Sequence, residues 1–344
     1  MGSEAAAKVG QGQRLVSPVV QAPRPDAAHL EKMFLEHAVD SWPRTPALED
    51  SEILSLVEAM MRYNDKEKIR EHYDLVSPYY QMLWGEHIHH GYWIHGDETK
   101  EKAQIQLIEH LAQAAGIRPG CRILDVGCGL GGSSIHLARN YKAEVTGITI
   151  SPVQVDMAKK AAASKGANVT FLLMNAETMT FEGLFDVVWS VESVSHYQKI
   201  SQFFSSAARF LKPDGIIALT DWFKKEDLAQ RVHKEFIHPI EESMLVELRT
   251  MKDYEGWMSE NGLQIIKSEI LNMNCAKTWD ICLDIIKDKT FWKLAAQNGA
   301  EFVNFLRGFK AMRAGFDSGN FTYGLLVAKP AFPGKRESPF PANN

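Results

Sequence analysis

Strand and helix signals alternate without a break over the middle of the chain, from residue 121 to residue 222. Short apolar runs such as CRILDVG, AEVTGI, NVTFLLMN, LFDVVWSV and GIIALTDW have the length and composition of buried strands, and helical runs such as PVQVDMAKKAAASKG separate them. Two more strand signals, LQIIKSEIL and FTYGLLVAKP, follow. Because parallel neighbours need a crossover connection, usually a helix, this alternation predicts a doubly wound α/β sheet with right-handed crossovers.

The first strand runs into a glycine-rich turn, ILDVGCGLGGSS, and a helix follows the turn. Gly127, Gly129 and Gly132 match the pattern G-x-G-x-x-G. Glycines at these positions let the backbone approach a nucleotide at the positive end of the helix. The pattern alone does not tell which nucleotide the turn binds.

Two observations disfavour NAD. A dinucleotide site has an acidic residue about 20 positions after the turn, whereas that count from Gly129 reaches Thr149, in the acid-free segment Gly147–Ser151. Asp125 stands two residues before the first glycine, where it repels a pyrophosphate and attracts an ammonium or sulfonium group. S-adenosylmethionine carries both of these cations and no phosphate, so the turn favours it over NAD.

Several further motifs follow one another along the chain. They are YDLVSPYYQMLWGEHIHHGYW (Tyr73–Trp93), LDVGCGLGGSS, GITISPVQ (Gly147–Gln154), FDVVWSVES (Phe185–Ser193) and LKPDGIIAL (Leu211–Leu219). In this order they resemble the class I S-adenosylmethionine-dependent methyltransferases, and more closely the branch of γ-tocopherol methyltransferase-like enzymes and sterol C-methyltransferases. The resemblance covers about Tyr73 to Lys329. It implies a Rossmann-like, seven-stranded mixed sheet whose last strand is antiparallel, an N-terminal helical lid, and a helical substrate cap at about Lys225–Leu248.

The same resemblance assigns most of the cofactor site. It places Thr149 and Gln154 at the ribose, which accounts for the missing acid. Asn175 and Ala176 stand where such enzymes usually carry Asp-Ala beside the adenine, and the amide oxygen of Asn175 can accept a hydrogen bond from an exocyclic amine. The other interpretation of Asn175 is a turn residue at the end of a strand. The predicted cofactor-binding residues are Asp125, Gly127, Gly129, Thr149, Gln154, Asn175, Ala176 and Glu192.

The fourth strand ends in WSVESVSHY, at the edge of the sheet where substrates bind in doubly wound folds. His196 is the predicted base, because it alone in this loop titrates near neutrality; the alternative is a histidine that caps the next helix. Phosphoethanolamine methyltransferases, which are more distant relatives, pair a histidine at a similar place with an N-terminal tyrosine, and Tyr73 is the best match for that tyrosine. Glu192 is expected to shape the methionine end of the cofactor or to bind a cationic substrate; the alternative is a solvated loop acid.

The segment WGEHIHHGYWIH, residues Trp84–His95, carries four of the 12 histidines. A zinc site needs three or four converging ligands, often with cysteine among them. In an extended segment, however, alternation puts His87 and His89 on one face and His90 on the other. Aromatic and glycine neighbours are typical of a lid over a small-molecule pocket. We therefore predict no metal and name this segment the lid; the alternative is a merely structural loop. Its predicted substrate-lining residues are Trp84, His87, His89 and Trp93.

Composition limits the remaining possibilities. A net charge of −5 without a basic block argues against nucleic acid, and no apolar run approaches the roughly 20 residues of a membrane span. The predicted organisation is a disordered tail (1–25), a helical region with the lid (26–98), a catalytic domain (99–330) and a flexible tail (331–344). We expect a cytoplasmic protein, with organellar targeting by the N-terminal tail as the less favoured alternative. The sequence does not predict the oligomeric state.

Taken together, these patterns predict the transfer of a methyl group from S-adenosylmethionine to a small, partly apolar metabolite in specialised metabolism. The acceptor atom is nitrogen, oxygen or carbon. One alternative is C-methylation of an isoprenoid or sterol-like double bond. Others are a cyclase that keeps the cofactor without consuming it and a non-catalytic cofactor-binding protein. An NAD-dependent oxidoreductase is disfavoured by Asp125 and Thr149.

Overall fold

Seven strands form a single mixed sheet in the computed structural model, which describes residues 65–287 and 300–331. The strands are β1 (Arg122–Val126), β2 (Glu144–Thr149), β3 (Val169–Leu173), β4 (Phe185–Val191), β5 (Leu211–Lys224), β6 (Leu263–Ile270) and β7 (Phe321–Pro330). Their order across the sheet is β3-β2-β1-β4-β5-β7-β6. The strands β1 to β5 are parallel, and β7 runs antiparallel to both β5 and β6. The predicted fold class is confirmed.

The chain reverses its direction across the sheet after β3. It builds β1, β2 and β3 outward on one side and then returns to place β4 on the other side of β1. In open α/β sheets, ligands bind in the crevice that such a reversal opens at the carboxyl ends of the strands. The glycine-rich turn after β1 and the loop after β4 therefore meet at one crevice.

Helices cover both faces of the sheet. They are α1 (Lys66–Trp84), α2 (Lys100–Ala114), α3 (Gly132–Asn140), α4 (Pro152–Ser164), α5 (Ile200–Phe210), α6 (Gln230–Val232), α7 (His238–Met244), α8 (Met251–Glu260), α9 (Asn272–Cys275), α10 (Lys277–Ile285) and α11 (Ala300–Ser318). Val188 and Trp189, neighbours in β4, belong to opposite apolar layers because successive strand residues point to opposite faces. No helix among these is long and apolar enough to cross a membrane.

Helix α1 lies in front of the crevice and contains Pro78, a residue type that ordinarily interrupts a helix. It starts at Asp65, whose carboxylate accepts hydrogen bonds from the backbone N–H groups of Glu67 (3.0 Å) and Lys68 (3.2 Å). It ends at Gly85, where a φ of 98° turns the chain into the lid. Of the predicted organisation, residues 1–64, 288–299 and 332–344 lie outside the described residues.

The predicted cap forms between β5 and α8. It consists of α6, a π-helical turn (His233–Ile237) and α7, which follow one another directly. Helix α7 ends at Leu245, and the chain then runs back towards the loop after β4. The cap segment therefore lies beside the crevice; that it covers a substrate stays a prediction.

Candidate active site

The glycine-rich turn closes tightly over the end of β1. Gly127 and Gly129 have φ angles of 76° and 53°, a backbone conformation that favours glycine. A Cβ atom at Gly127 would lie 2.3 Å from the Cβ of Ser193, so the loop after β4 leaves no room for a side chain there. The N–H groups of Gly127 and Cys128 both donate to the carbonyl of Ile148 at 2.9 Å, which joins the turn to the end of β2.

A cavity lies over this turn and opens between helix α1 and the lid; we call it the first cavity. Almost all of the predicted site residues line it: Tyr73, His87, His89, Asp125, Gly127, Gly129, Thr149, Gln154, Asn175, Ala176, Glu192 and His196. They come from the ends of β1 to β4, from the lid and from α1. Parallel strands thus bring residues far apart in the chain to one edge of the sheet.

Asp125 lies at the floor of the first cavity and is only 2% exposed. Burial raises the pKa of its carboxyl to about 7, because the Ser134 hydroxyl, which donates at 2.5 Å, replaces only part of the lost hydration. A cation placed nearby favours the ionised form and offsets this cost. The electrostatics therefore suit a positively charged ligand group.

Thr149 and Gln154 are hydrogen-bonded to each other, with the threonine hydroxyl donating to Oε1 of the glutamine at 2.7 Å. The amide nitrogen of Gln154 donates to the hydroxyl of Ser77 in α1 at 3.2 Å. Helix α1 thus holds the two residues predicted at the ribose.

Asn175 lines the cavity and also caps the short helical turn after β3, since its Oδ1 accepts from the backbone N–H of Glu177 at 2.9 Å. Both interpretations of Asn175 are therefore compatible: Oδ1 has a second lone pair for a ligand. Ala176 is buried beside it and lines the same cavity.

The lid lies across the start of α3. The Nδ1 atom of His87 would be 2.5 Å from a Cβ atom on Gly132, and Ile88 packs against Gly129. Burial, followed by the neighbouring His89, lowers the pKa of His87 to about 2, so this ring is neutral. An ion pair between Glu86 and Lys165 joins the lid to the end of α4.

Two further histidines of the lid, His89 and His90, have separate partners. His89 donates from Nδ1 to the carbonyl of His90 at 2.8 Å. His90 points towards the core, where it stacks on Tyr323 with ring centroids 4.3 Å apart. Within the described part of the chain, no group of three or more His, Cys, Asp or Glu side chains has the arrangement of a metal site. Metal independence stays a prediction.

Glu192 has an unusual backbone, with φ at 51°, and its side chain is 7% exposed. Its Oε1 accepts from the His90 backbone N–H at 2.7 Å, from His90 Nδ1 at 3.0 Å and from the Tyr323 hydroxyl at 2.8 Å. Burial by itself raises the pKa of Glu192, but the charge and hydrogen bonds of His90, together with the charge of His89, bring it below its usual range. Glu192 is therefore a buried, ionised carboxylate, not a solvated loop acid. Among the described residues, no hydrogen bond reaches its Oε2.

His196 and Tyr73 form the predicted pair. The Tyr73 hydroxyl and His196 Nε2 are 2.9 Å apart, and His196 Nδ1 lies 3.2 Å from the carbonyl oxygen of Leu245. Burial lowers the pKa of His196 to about 4 and raises that of Tyr73 above its usual range. Near neutral pH the histidine is thus neutral and the tyrosine protonated, the states that a base and its hydroxyl partner require.

A second cavity lies behind the first and shares Tyr73, Ile88, His89 and Glu192 with it. Its other walls are mainly aromatic, apolar or sulfur-containing: Tyr80, Trp84, Trp222, Met244, Trp279, Cys282, Phe309 and Met312. Such walls are typical of a pocket for an apolar molecule. Trp84 lines this second cavity, and its contact with a substrate stays a prediction.

Trp93 is not brought to either of these cavities. Its indole N–H donates to the carbonyl of Glu98 at 3.1 Å, and its backbone N–H donates to the carbonyl of Asn274 at 2.9 Å. The side chain is 4% exposed and fixes the far end of the lid. The prediction that Trp93 lines the substrate site is therefore corrected to a structural role.

Sequence reasoning also missed Trp279 and Tyr323, which reach the site from the C-terminal third of the chain. The only signal in the sequence was that both are aromatic residues near the ends of apolar elements, a pattern that ordinary core residues share.

The fold, the glycine turn and the carboxylate-lined first cavity together define a class I S-adenosylmethionine-dependent methyltransferase. Comparison with known proteins agrees, since the sequence model of the mycolic acid cyclopropane synthetase family matches residues 61–321. The chain belongs to that family.

Individual relatives have methyltransferase names. The chain is 28% identical over 288 residues to the chloroplastic tocopherol O-methyltransferase of Arabidopsis thaliana, covering 76% of this chain and 81% of the relative. It is 30% identical over 266 residues to the 27-O-demethylrifamycin SV methyltransferase of Amycolatopsis mediterranei (strain S699), covering 76% and 96%. The crystal structure of mycolic acid cyclopropane synthase CmaA1, complexed with SAH and CTAB, matches with a TM-score of 0.69 at 22% identity, covering 76% of this chain and 96% of that one. The predicted enzyme class and the cofactor, S-adenosylmethionine, are confirmed.

Proposed function

We propose that this enzyme methylates an oxygen or nitrogen atom of a small, largely apolar molecule, with His196 acting as the base through Tyr73. The hydrogen bond between the Tyr73 hydroxyl and His196 Nε2 carries the proposal, because Tyr73 lines both cavities. A proton leaving an acceptor in the second cavity therefore meets this hydroxyl at the junction with the first cavity. Two O-methyltransferase relatives, named for tocopherol and a rifamycin, support an oxygen acceptor on an apolar molecule.

The first cavity suits the cofactor by the chemistry of its lining. S-adenosylmethionine supplies, when bound, a methyl carbon activated by the attached sulfonium. Asp125 and Glu192 offer carboxylates to its cationic end, Thr149 and Gln154 offer hydrogen bonds to the ribose, and Asn175 to the adenine. The protein itself aligns S-adenosylmethionine with the methyl acceptor and excludes water.

The base step follows from the protonation states. The Tyr73 oxygen takes the proton of the acceptor's hydroxyl or ammonium group while its own proton moves to Nε2 of His196. The imidazolium that forms keeps its other N–H on the carbonyl of Leu245. Such relayed general-base catalysis contributes roughly 10²–10⁴-fold to turnover.

C-methylation of an alkene is a second candidate, favoured by one specific observation. Attack by a double bond leaves a carbocation, and the ionised Glu192 lines the second cavity together with the indoles of Trp84 and Trp222. A carboxylate and aromatic faces both stabilise a cation. No proton has to leave before this attack, so His196 would contribute less.

We propose a role in specialised metabolism, for which the rifamycin-modifying relative is the support. A cytoplasmic location stays a prediction, and the name of the Arabidopsis relative, chloroplastic, favours testing the organellar alternative. Expression of the full chain with a C-terminal fluorescent tag separates the two.

The deciding experiment offers the enzyme methyl-labelled S-adenosylmethionine with a panel of phenols, amines and isoprenoid alkenes, and reads the mass of each product. With a phenol or amine, we expect His196→Ala to lower turnover by roughly 10²–10⁴-fold and Tyr73→Phe to lower it similarly. Trp84→Ala should weaken acceptor binding, whereas Trp93→Ala, which removes an equal ring outside the cavities, should affect stability more than acceptor affinity.

Three outcomes would overturn the proposal. If His196→Ala methylated a phenol or amine as fast as the wild type does, His196 would not be the base. Labelling of alkenes alone, with a larger effect of Trp84→Ala than of His196→Ala, would establish C-methylation. A product that forms with no added label would indicate a cyclase that keeps its cofactor.

A further inference from the structure

Leu245 has a backbone conformation that leucine rarely adopts. Its φ and ψ are 55° and 45°, in the left-handed region. It terminates helix α7, and its N–H donates to the carbonyl of Glu241. Helices commonly end on a residue in this conformation, but that residue is usually glycine and sometimes asparagine. A strained leucine at this position is a reason to ask what its conformation positions.

The conformation aims the carbonyl of Leu245 at His196. The oxygen lies 3.2 Å from Nδ1 of the imidazole. A carbonyl oxygen only accepts hydrogen bonds, so the proton of the neutral ring must be on Nδ1. Nε2 then carries the lone pair and accepts from the Tyr73 hydroxyl at 2.9 Å. The carbonyl of Leu245 thus selects the one neutral tautomer of His196 that can receive a proton from Tyr73.

Hydrogen bonds fix both partners of this contact. On the cap side, the N–H of Leu248 donates to the buried carboxylate of Glu241 at 3.0 Å. Across the contact, the N–H of Glu247 donates to the carbonyl of Ser195 at 3.2 Å. On the loop side, the N–H of Ser195 donates to the carboxylate of Asp221 at 2.9 Å. The distance between the Leu245 carbonyl and the imidazole is therefore held by bonds on each side of it.

We propose that Leu245 is a positioning residue of the methyl transfer. Its left-handed backbone holds the carbonyl that sets the tautomer of His196, so the cap keeps His196 in the form that can accept a proton. The effect on turnover rests on the proposed role of His196, whereas the effect on the tautomer does not. The two can therefore fail separately.

The test compares two substitutions of similar size at one position. Asparagine tolerates the left-handed conformation, whereas β-branched valine strongly disfavours it. Enzyme labelled with ¹⁵N-histidine reports the tautomer by NMR, and subtracting the spectrum of His196→Gln assigns the His196 signals. We expect Nδ1–H in the wild type and in Leu245→Asn. Leu245→Val should add a signal of the Nε2–H form, and its turnover should fall towards the roughly 10²–10⁴-fold loss caused by removing a base.

Calorimetry with S-adenosylhomocysteine tests whether each variant still folds and binds the cofactor product. An Nε2–H signal in the wild type would overturn the inference, as would an unchanged tautomer in a folded Leu245→Val or a lost Nδ1–H signal in Leu245→Asn. A shifted tautomer in Leu245→Val with unchanged turnover would support the positioning by Leu245 and contradict the role of His196 as base.

Discussion

Two carboxylates of the site, Asp125 and Glu192, are both buried, yet their pKa values move in opposite directions. Asp125 has one side-chain donor, the Ser134 hydroxyl, and burial therefore dominates. Glu192 has His90 and Tyr323 on one oxygen, which compensate for its lost hydration. Glu192 is consequently charged before any ligand arrives, whereas Asp125 becomes fully charged only beside a cation.

This difference predicts a pH dependence of cofactor binding. The pKa of Asp125 is about 7 without ligand, and the cationic end of S-adenosylmethionine favours the ionised form. Binding therefore releases a proton below pH 7, and affinity falls as the pH falls. Between pH 7.5 and 5.5 we expect a loss of roughly 20-fold, because each unit below the pKa costs about tenfold.

Calorimetry in two buffers with different ionisation enthalpies measures both the affinity and the released proton. Asp125→Asn keeps a carbonyl oxygen for the Ser134 hydroxyl but cannot titrate, so its affinity should be lower and nearly flat over the same range. An equally steep pH profile in Asp125→Asn would assign the proton to another group.

Among the elements, the lid closes one side of the first cavity and contacts the start of α3. A Cβ atom on Gly132 would lie 2.5 Å from His87 Nδ1 and 2.7 Å from the backbone oxygen of Glu86. The second contact is with backbone, so no side-chain rotation can relieve it. By contrast, the ion pair of Glu86 with Lys165 is partly exposed, and such pairs contribute only about 0–1 kcal/mol.

We therefore predict that Gly132→Ala displaces the lid and weakens S-adenosylmethionine binding by at least about tenfold, or 1.4 kcal/mol. Lys165→Met should weaken it less than about fivefold. Gly256→Ala is the matched control, because a Cβ atom there meets nothing within 4 Å and alanine favours a helix. Calorimetry gives the affinities, and limited proteolysis of the lid gives its displacement. Unchanged affinity and proteolysis in Gly132→Ala would show that the lid does not close over the cofactor.

At this scale the sequence predicted the sheet well and the contacts between elements poorly. Strands such as β1 and β4 are marked by local apolar runs, and the glycine turn by its spacing. The bond of His90 to Glu192, however, joins residues 102 positions apart, and no local pattern encodes it. Trp93 shows the converse. The segment around it has the composition of a pocket wall, but its hydrogen bonds to Glu98 and Asn274 hold it away from both cavities.

At the scale of the whole molecule, hydrogen bonds at the candidate active site join separate parts of the fold. Helix α1 contributes Tyr73, the loop after β4 contributes His196, and the cap contributes the carbonyl of Leu245. Strand β7 contributes Tyr323 through its bond to Glu192. Tyr73 and His196 both line the first cavity, so we expect a ligand there to stabilise helix α1 and the loop after β4 together.

This coupling predicts a selective thermal shift. A ligand at 100 times its dissociation constant that binds only the folded state adds about 2.7 kcal/mol of stability. For a domain of this size, that corresponds to an increase in Tm of about 5–10 °C.

S-adenosylhomocysteine should produce such a shift. NAD should not, because Asp125 repels its pyrophosphate and Thr149 stands where a dinucleotide site has its acid. Calorimetric scans of the full chain with each ligand measure both values. At the same ligand concentration, Gly132→Ala should lose about half or more of the S-adenosylhomocysteine shift, because a tenfold weaker affinity reduces the added stability to about 1.4 kcal/mol, whereas Gly256→Ala should keep it. If NAD raised the Tm as much as S-adenosylhomocysteine does, the first cavity would not discriminate by charge, and Asp125 would not be the residue that excludes a pyrophosphate.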